Sequence, residues 1–149
     1  MDLYAENILD HYRDPRHKVP ARAGTDGENG KWKVENVLTH TEKNISCGDE
    51  ITVALSIKND KIESIEWSGS GCAISQAGMS IFAEEFEGKS IDAILHLKKN
   101  NIYELLGVPV GPRRFKCALI CLHTVKNALR KYKNEKPQSW LDTVEIDEE

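Results

Sequence analysis

Four cysteines, Cys47, Cys72, Cys117 and Cys121, are the residues of this 149-residue chain best suited to bind a metal or carry a nucleophilic sulfur. Three stand in settings that invite chemistry: Asn44-Ile45-Ser46-Cys47-Gly48-Asp49, Gly69-Ser70-Gly71-Cys72-Ala73 and Lys116-Cys117-Ala118. Glycine beside a thiol lets the backbone approach a ligand closely. Asp49, two residues after Cys47, projects to the same side if a strand has begun there, and offers a carboxylate as a fourth ligand. Three thiolates and one carboxylate suit tetrahedral zinc, and thiolates also suit iron–sulfur clusters. A plainer reading stands beside this one. Free cysteine is a common core residue. The spacing Cys-x24-Cys-x44-Cys is no standard zinc or ferredoxin pattern, and Gly-x-Gly at 69–71 also fits a tight turn into a helix.

The other polar candidates are weaker. Cys121, one turn after Cys117, is expected to be a core residue. His123 faces elsewhere and is expected to pack or lie at the surface, and His11 to hydrogen-bond locally. Arg113, Arg114 and Lys116 open a helix, the end where positive charge is disfavoured. They read either as a solvated turn or as a counterweight to the thiolates and Asp49 that lowers thiol pKa.

The elements that must position these residues follow from periodicity. Residues 3–13 predict a helix with Tyr4, Ile8 and Tyr12 on one stripe, ended by Asp14-Pro15. Residues 15–31 read as an irregular, mobile connection. Three strands are expected: Trp32 to Thr41 with broken alternation, Glu50 to Ile57 with Ile51, Val53, Leu55 and Ile57 on one face, and Lys61 to Ser68. Asn59-Asp60 joins the last two as a hairpin, which puts Cys47 and Cys72, 25 positions apart in sequence, beyond the same open end. Ile74, Ala77, Gly78, Ile81 and Phe82 mark a helix up to Gly88, and Ser90 caps a second short one. Asn101 to Leu106 is another, and Val108 to Pro112 must be a loop. Arg113 to Lys133 is a long helix with Ala118, Leu122, Val125, Leu129 and Tyr132 on its stripe. Cys72 and Cys117 thus lie near helix N-termini, where the macrodipole favours thiolate. No repeat and no second core is visible. The fold class is α+β: one domain over 1–137 with a three-stranded antiparallel sheet packed against helices, then an acidic, frayed C-terminal tail over 138–149 that contains Trp140.

Composition narrows the setting. Hydrophobic residues make up 40% and charged residues 30%, the mixture of a globular chain that needs no disulfides. No apolar run is long enough to span a membrane, and Met1–Glu6 show neither a basic nor an apolar leader, so a cytoplasmic, reducing location is expected. Twenty Lys and Arg against 24 Asp and Glu give a net charge of −4, which argues against a broad nucleic-acid face.

Cys47-Gly48-Asp49, Gly69-x-Gly71-Cys72-Ala73-Ile74-Ser75 and Lys116-Cys117-Ala118-Leu119 together resemble the three cysteine motifs of the U-type iron–sulfur scaffold proteins, the IscU, SufU and NifU N-terminal group. Tyr4, Asp10-His11-Tyr12 and Pro15-Arg16 resemble that family's opening helix and following loop, and Gly88-Lys89-Ser90 the turn after its second helix. The resemblance spans residues 3–133. Lys116 resembles SufU-type members, since IscU-type members carry His there. The 44 residues between Cys72 and Cys117 resemble IscU, since SufU-type members carry an insertion. Val108-Pro109-Val110-Gly111-Pro112 stands in place of the IscU chaperone motif. The resemblance implies that Cys47, Asp49, Cys72 and Cys117 hold zinc as isolated and, transiently, a [2Fe-2S] or related cluster. It implies a cysteine desulfurase as sulfur donor, with Cys117 (IscU-like) or Cys47 (SufU-like) as persulfide acceptor, and apo iron–sulfur proteins as recipients. The expected function is a cluster assembly scaffold rather than an ordinary enzyme. The alternatives are a zinc-dependent sulfurtransferase that activates a desulfurase and a structural zinc adaptor module.

Overall fold

The computed structural model describes residues 3–19, 32–34 and 36–145. Helix α1 (Leu3–Arg13) is followed by strands β1 (Leu38–Asn44), β2 (Asp49–Lys58) and β3 (Lys61–Ser70). Helices α2 (Ala73–Phe86), α3 (Ile91–Leu95), α4 (Lys99–Leu106), α5 (Phe115–Tyr132) and α6 (Trp140–Glu145) complete the described chain. The strands form one antiparallel sheet in the order β1-β2-β3, so the expected α+β domain with a three-stranded meander is what forms. Among the described residues, no helix is long and apolar enough to cross a membrane.

The β2–β3 hairpin turns on Asn59 and Asp60, both at positive φ (55° and 61°), the backbone that a right-twisted two-residue turn requires. Its register pairs Val53 with Trp67 and Leu55 with Ile65, so alternate residues build one apolar face. These side chains are fully buried with Phe82, Met79, Leu119 and Leu122 in a single core. Burial of such side chains stabilises by roughly 1.5–3 kcal/mol each, the main term holding helices to sheet. Helix α5 contacts both β1 and β2 on one flank and α2, α3, α4 and α6 on others. Every residue from Cys117 to Leu129 is therefore buried; the helix emerges before Cys117, where Phe115 and Lys116 are half-buried, and past Leu129, where Tyr132 is exposed.

Several expectations shift. The first strand lies at Leu38–Asn44 rather than Trp32–Thr41, because its inner positions past Thr41 are polar: Glu42 and Asn44 point into hydrogen-bonded sites that hydrophobic alternation does not register. Among the described side chains of α1, Ile8 and His11 are buried while Tyr12 and Leu9 are exposed, and Tyr4 lies outside them. His11 bonds not locally but across to α2, through Ser80 Oγ at 2.7 Å. Ser80 Oγ also accepts the Arg16 N–H at 2.7 Å. Of the connection over 15–31, residues 16–19 are fastened to β3: Trp67 Nε1 donates to the Arg16 carbonyl at 2.9 Å, and the Val19 N–H donates to the Trp67 carbonyl at 2.8 Å. Residues 20–31 lie outside the described residues. Ser90 caps α3 as expected, accepting the Ala93 N–H at 3.1 Å, and Gly107 closes α4.

The C-terminal segment is not frayed over its described part. Helix α6 packs on α5, with Trp140 stacked on His123 at 4.0 Å between ring centroids. Asn127 clasps Gln138 from both sides, donating to its carbonyl at 3.1 Å and accepting its N–H at 2.8 Å. Residues 146–149 lie outside the described residues.

Candidate metal and cluster centre

Three chain segments end at one spot. The β1–β2 connection carries Cys47, β2 begins with Asp49, and the first turn of α5 carries Cys117. One ligand atom from each of Cys47, Asp49 and Cys117 lies within 4.8 Å of the others, and the Cys47 and Cys117 sulfurs are 3.2 Å apart. Two soft sulfurs and a carboxylate oxygen at this separation are a donor set that fits a zinc-type cation.

Asp49 is the most constrained member. It is buried, and four contacts from three elements fix its carboxylate. Oδ1 accepts the Cys72 N–H at 3.0 Å and the Ser75 hydroxyl at 3.1 Å, while Oδ2 accepts the Asn44 amide at 3.0 Å. The fourth is Gly71, whose backbone approaches so closely that a Cβ there would sit 2.3 Å from Asp49 Oδ1. Asn44 reaches the site because the β1–β2 register sets it directly opposite Asp49. Its amide also lies 3.8 Å from Cys117 Sγ, so one side chain orients both groups, as outer-shell partners of metal ligands do. Ser75 follows Cys72 by one turn of α2, which explains its reach. Asn44 and Ser75 carry no signal of their own in the sequence beyond their nearness to Cys47 and Cys72.

Cys72 is the N-cap residue of α2, half-buried, and is joined to the centre by its backbone N–H rather than as a fourth atom of the close cluster. Its thiol still acts on Cys117. Burial first, then hydrogen bonding to Cys47 and Cys72, pushes the Cys117 thiol well above the usual thiol range. This reverses the expectation that Arg113, Arg114 and Lys116, with the helix N-terminus, lower it. Those side chains stand at the surface end of α5, whereas Cys117 is 1% exposed, so desolvation wins. Cys47, by contrast, is exposed. It lines a cleft of about 420 Å³ together with Asn44, Pro112, Arg113, Phe115 and Lys116.

Cys121 belongs to the core, as expected. It is fully buried against α2 near Gly78, and burial pushes its thiol up to about 12. His123 packs rather than ligates at this centre. Its Nε2 faces Glu42 Oε1 at 3.4 Å and its Nδ1 meets Thr143 Oγ1 at 2.7 Å. Burial opposes ionisation of Glu42, yet hydrogen bonds from His123, His40 and Asn127 outweigh it and hold that carboxyl well below the usual carboxylate range.

Known proteins resemble this chain in sequence and in fold. The chain is 31% identical over 132 residues to an "Iron-sulfur cluster assembly protein IscU" of Plasmodium falciparum, covering 89% of this chain and 75% of that protein. It is 26% identical over 146 residues to the "Zinc-dependent sulfurtransferase SufU" of Bacillus subtilis, covering 87% and 90%. A crystal structure of a candidate iron–sulfur cluster assembly scaffold protein for the SUF system from Fervidobacterium islandicum superposes with a TM-score of 0.59 at 26% identity, over 81% of this chain and 92% of that one. Residues 3–139 match the NifU-like N-terminal domain, and the chain belongs to that family.

Proposed function

We propose that this chain is an iron–sulfur cluster assembly scaffold that accepts sulfur from a cysteine desulfurase and holds a cluster transiently on Cys47, Asp49, Cys72 and Cys117. The observation that carries the reading is the convergence of Cys47, Asp49 and Cys117 from three separate elements, with one thiol exposed and the others sheltered. Exposure favours Cys47 as the sulfur acceptor, because an incoming persulfide must reach it along the attack line. The Cys47 thiolate attacks the terminal sulfur of the donor's persulfide. A new S–S bond forms on Cys47, the donor's S–S bond breaks, and the donor leaves as a thiolate with no net redox change. Cys117 and Cys72 are then left to bind iron, and an external electron donor supplies the two electrons that release the outer sulfur from Cys47 as sulfide; the cluster so formed is cargo and passes on to apo iron–sulfur proteins. Asp49, a harder ligand than thiolate, is the position most readily exchanged.

A second reading is a zinc-dependent sulfurtransferase. Lys116 before Cys117 favours it, and so does likeness to the Bacillus subtilis protein of that name. Zinc would be held by the same four residues and would keep the thiols deprotonated until the partner arrives. Anaerobic purification followed by reconstitution with iron(II), cysteine and a desulfurase separates the two. Visible absorbance of a cluster, transferable to an apo-ferredoxin, supports the scaffold. A colourless zinc protein that accelerates the desulfurase and takes up no cluster overturns the scaffold in favour of the sulfurtransferase.

A further inference from the structure

The C-terminal segment that the sequence presents as an acidic tail reaches back to the thiol cleft. Trp140 stacks on His123, its Nε1–H donates to the Lys43 carbonyl at 3.4 Å, and its ring lies under the Lys116 ammonium at 5.9 Å from the centroid. Lys43 precedes Asn44, and Lys116 precedes Cys117. Lys116 and Cys47 line the same cleft. The Asn127–Gln138 clasp and the His123–Thr143 hydrogen bond fix the segment on both sides of Trp140. A tail residue is thereby locked between the two strands of sequence that carry the centre.

We propose that Trp140 is a positioning residue that holds the Lys116 ammonium at the mouth of the Cys47 cleft, making that mouth selective for anionic sulfur reagents, the chemical class of a thiolate or a persulfide anion. A cation over an indole face is attracted by the ring quadrupole. A lysine otherwise has four rotatable bonds and spreads its charge through solvent. Held in place, the charge raises the local concentration of anions at Cys47. This inference rests on the proposed acceptor role of Cys47 for its biological meaning, but its test does not.

The test is the ratio of alkylation rates at Cys47 by iodoacetate, an anion, and iodoacetamide, a neutral isostere, measured by mass spectrometry on the reduced, chelator-treated full chain. Any change in thiolate fraction affects both reagents equally and cancels in the ratio. Lys116→Met lowers the ratio about twofold at low ionic strength, the size expected of one charge across a water-filled cleft. Trp140→Leu, which keeps apolar bulk on His123, lowers it to between the wild-type and Lys116→Met values. Trp140→Phe, which keeps an aromatic face, stays nearer wild type. High salt, which also screens Arg113 of the same cleft, brings the wild type and Lys116→Met to a common ratio. An unchanged ratio in Lys116→Met, or in Trp140→Leu, overturns the proposal. If Trp140→Leu does not fold by circular dichroism, Trp140→Met is read the same way. A purely structural role for Trp140 would move both rates together and leave the ratio alone. Loss of the scaffold reading would appear separately, as failure to bind zinc or a cluster with this ratio intact.

Discussion

Replacing Gly71 by alanine tests the cradle around Asp49 without replacing a candidate ligand. The new Cβ would lie 2.3 Å from Asp49 Oδ1 and 2.7 Å from Ser75 Oγ, against a backbone at φ +150°. An ordinary contact needs about 3.4 Å or more, so the carboxylate must retreat by about 1 Å. That movement breaks the Cys72 N–H and Ser75 hydroxyl bonds to Oδ1. Hydrogen bonds to a charged acceptor are worth roughly 1.5–3 kcal/mol each, and a non-glycine residue at such a φ costs about 1–2 kcal/mol. Partial relaxation returns some of this, so a net loss of about 3 kcal/mol is expected. For a chain of this size that lowers Tm by about 6–12 °C. Zinc affinity, measured by competition with a chromophoric chelator, should fall by at least tenfold, the usual effect of disturbing a ligand's outer shell. Gly48→Ala is the control. Its φ is +74° but nothing lies within 4 Å of its Cβ, so it should cost only the backbone strain of about 1–2 kcal/mol and leave zinc affinity close to wild type. Unchanged zinc affinity in Gly71→Ala would refute the role of the cradle. Equal loss in both variants would mean that loop conformation, and not the approach of Gly71 to Asp49, governs the centre.

Asp49→Ala should weaken zinc and make an assembled cluster decay more slowly in air, followed by visible absorbance; faster decay would mean that the carboxylate protects the cluster rather than opening it. Cys121→Ser should keep full zinc stoichiometry by metal analysis, because its sulfur faces α2, whereas Cys117→Ser should lose zinc. His11 gives the fold a pH dependence. Burial, then the nearby Arg16 charge, lowers its pKa below the ordinary 6.5, so the unfolded chain binds the proton more readily. Its contribution is fully present above about pH 6.5 and is lost as pH falls through the depressed folded value. Urea midpoints for wild type and His11→Gln should therefore converge between pH 7.5 and pH 5.5, and a constant gap would assign His11 no such role.

Three residues that meet at the centre, Cys47, Asp49 and Cys117, were legible from residue type and motif, and so was the frame that brings them together. Period-two alternation in β2 and β3 and the Asn59-Asp60 turn specify the hairpin, since one-residue slips would expose Ile51, Val53 and Leu55. The hairpin's open end then places Asp49 and Cys72 side by side. Capping by Ser90 and Gly107 was equally local and equally legible. Tertiary structure decided what depends on distant partners. Asn44 became a site residue only because β1 runs on to pair it with Asp49, and a polar strand end has no hydrophobic signature. The direction of the Cys117 shift followed from burial under neighbouring elements, which outweighs the basic residues adjacent in sequence. Composition reads the acidic tail as frayed, either solvated or a partner contact. It folds back because His123 and Asn127, buried on α5, offer Trp140, Gln138 and Thr143 a stack and hydrogen bonds that no local pattern encodes. Short-range rules reach as far as one turn or one strand pair, and the long-range polar contacts that finish this centre lie beyond that reach.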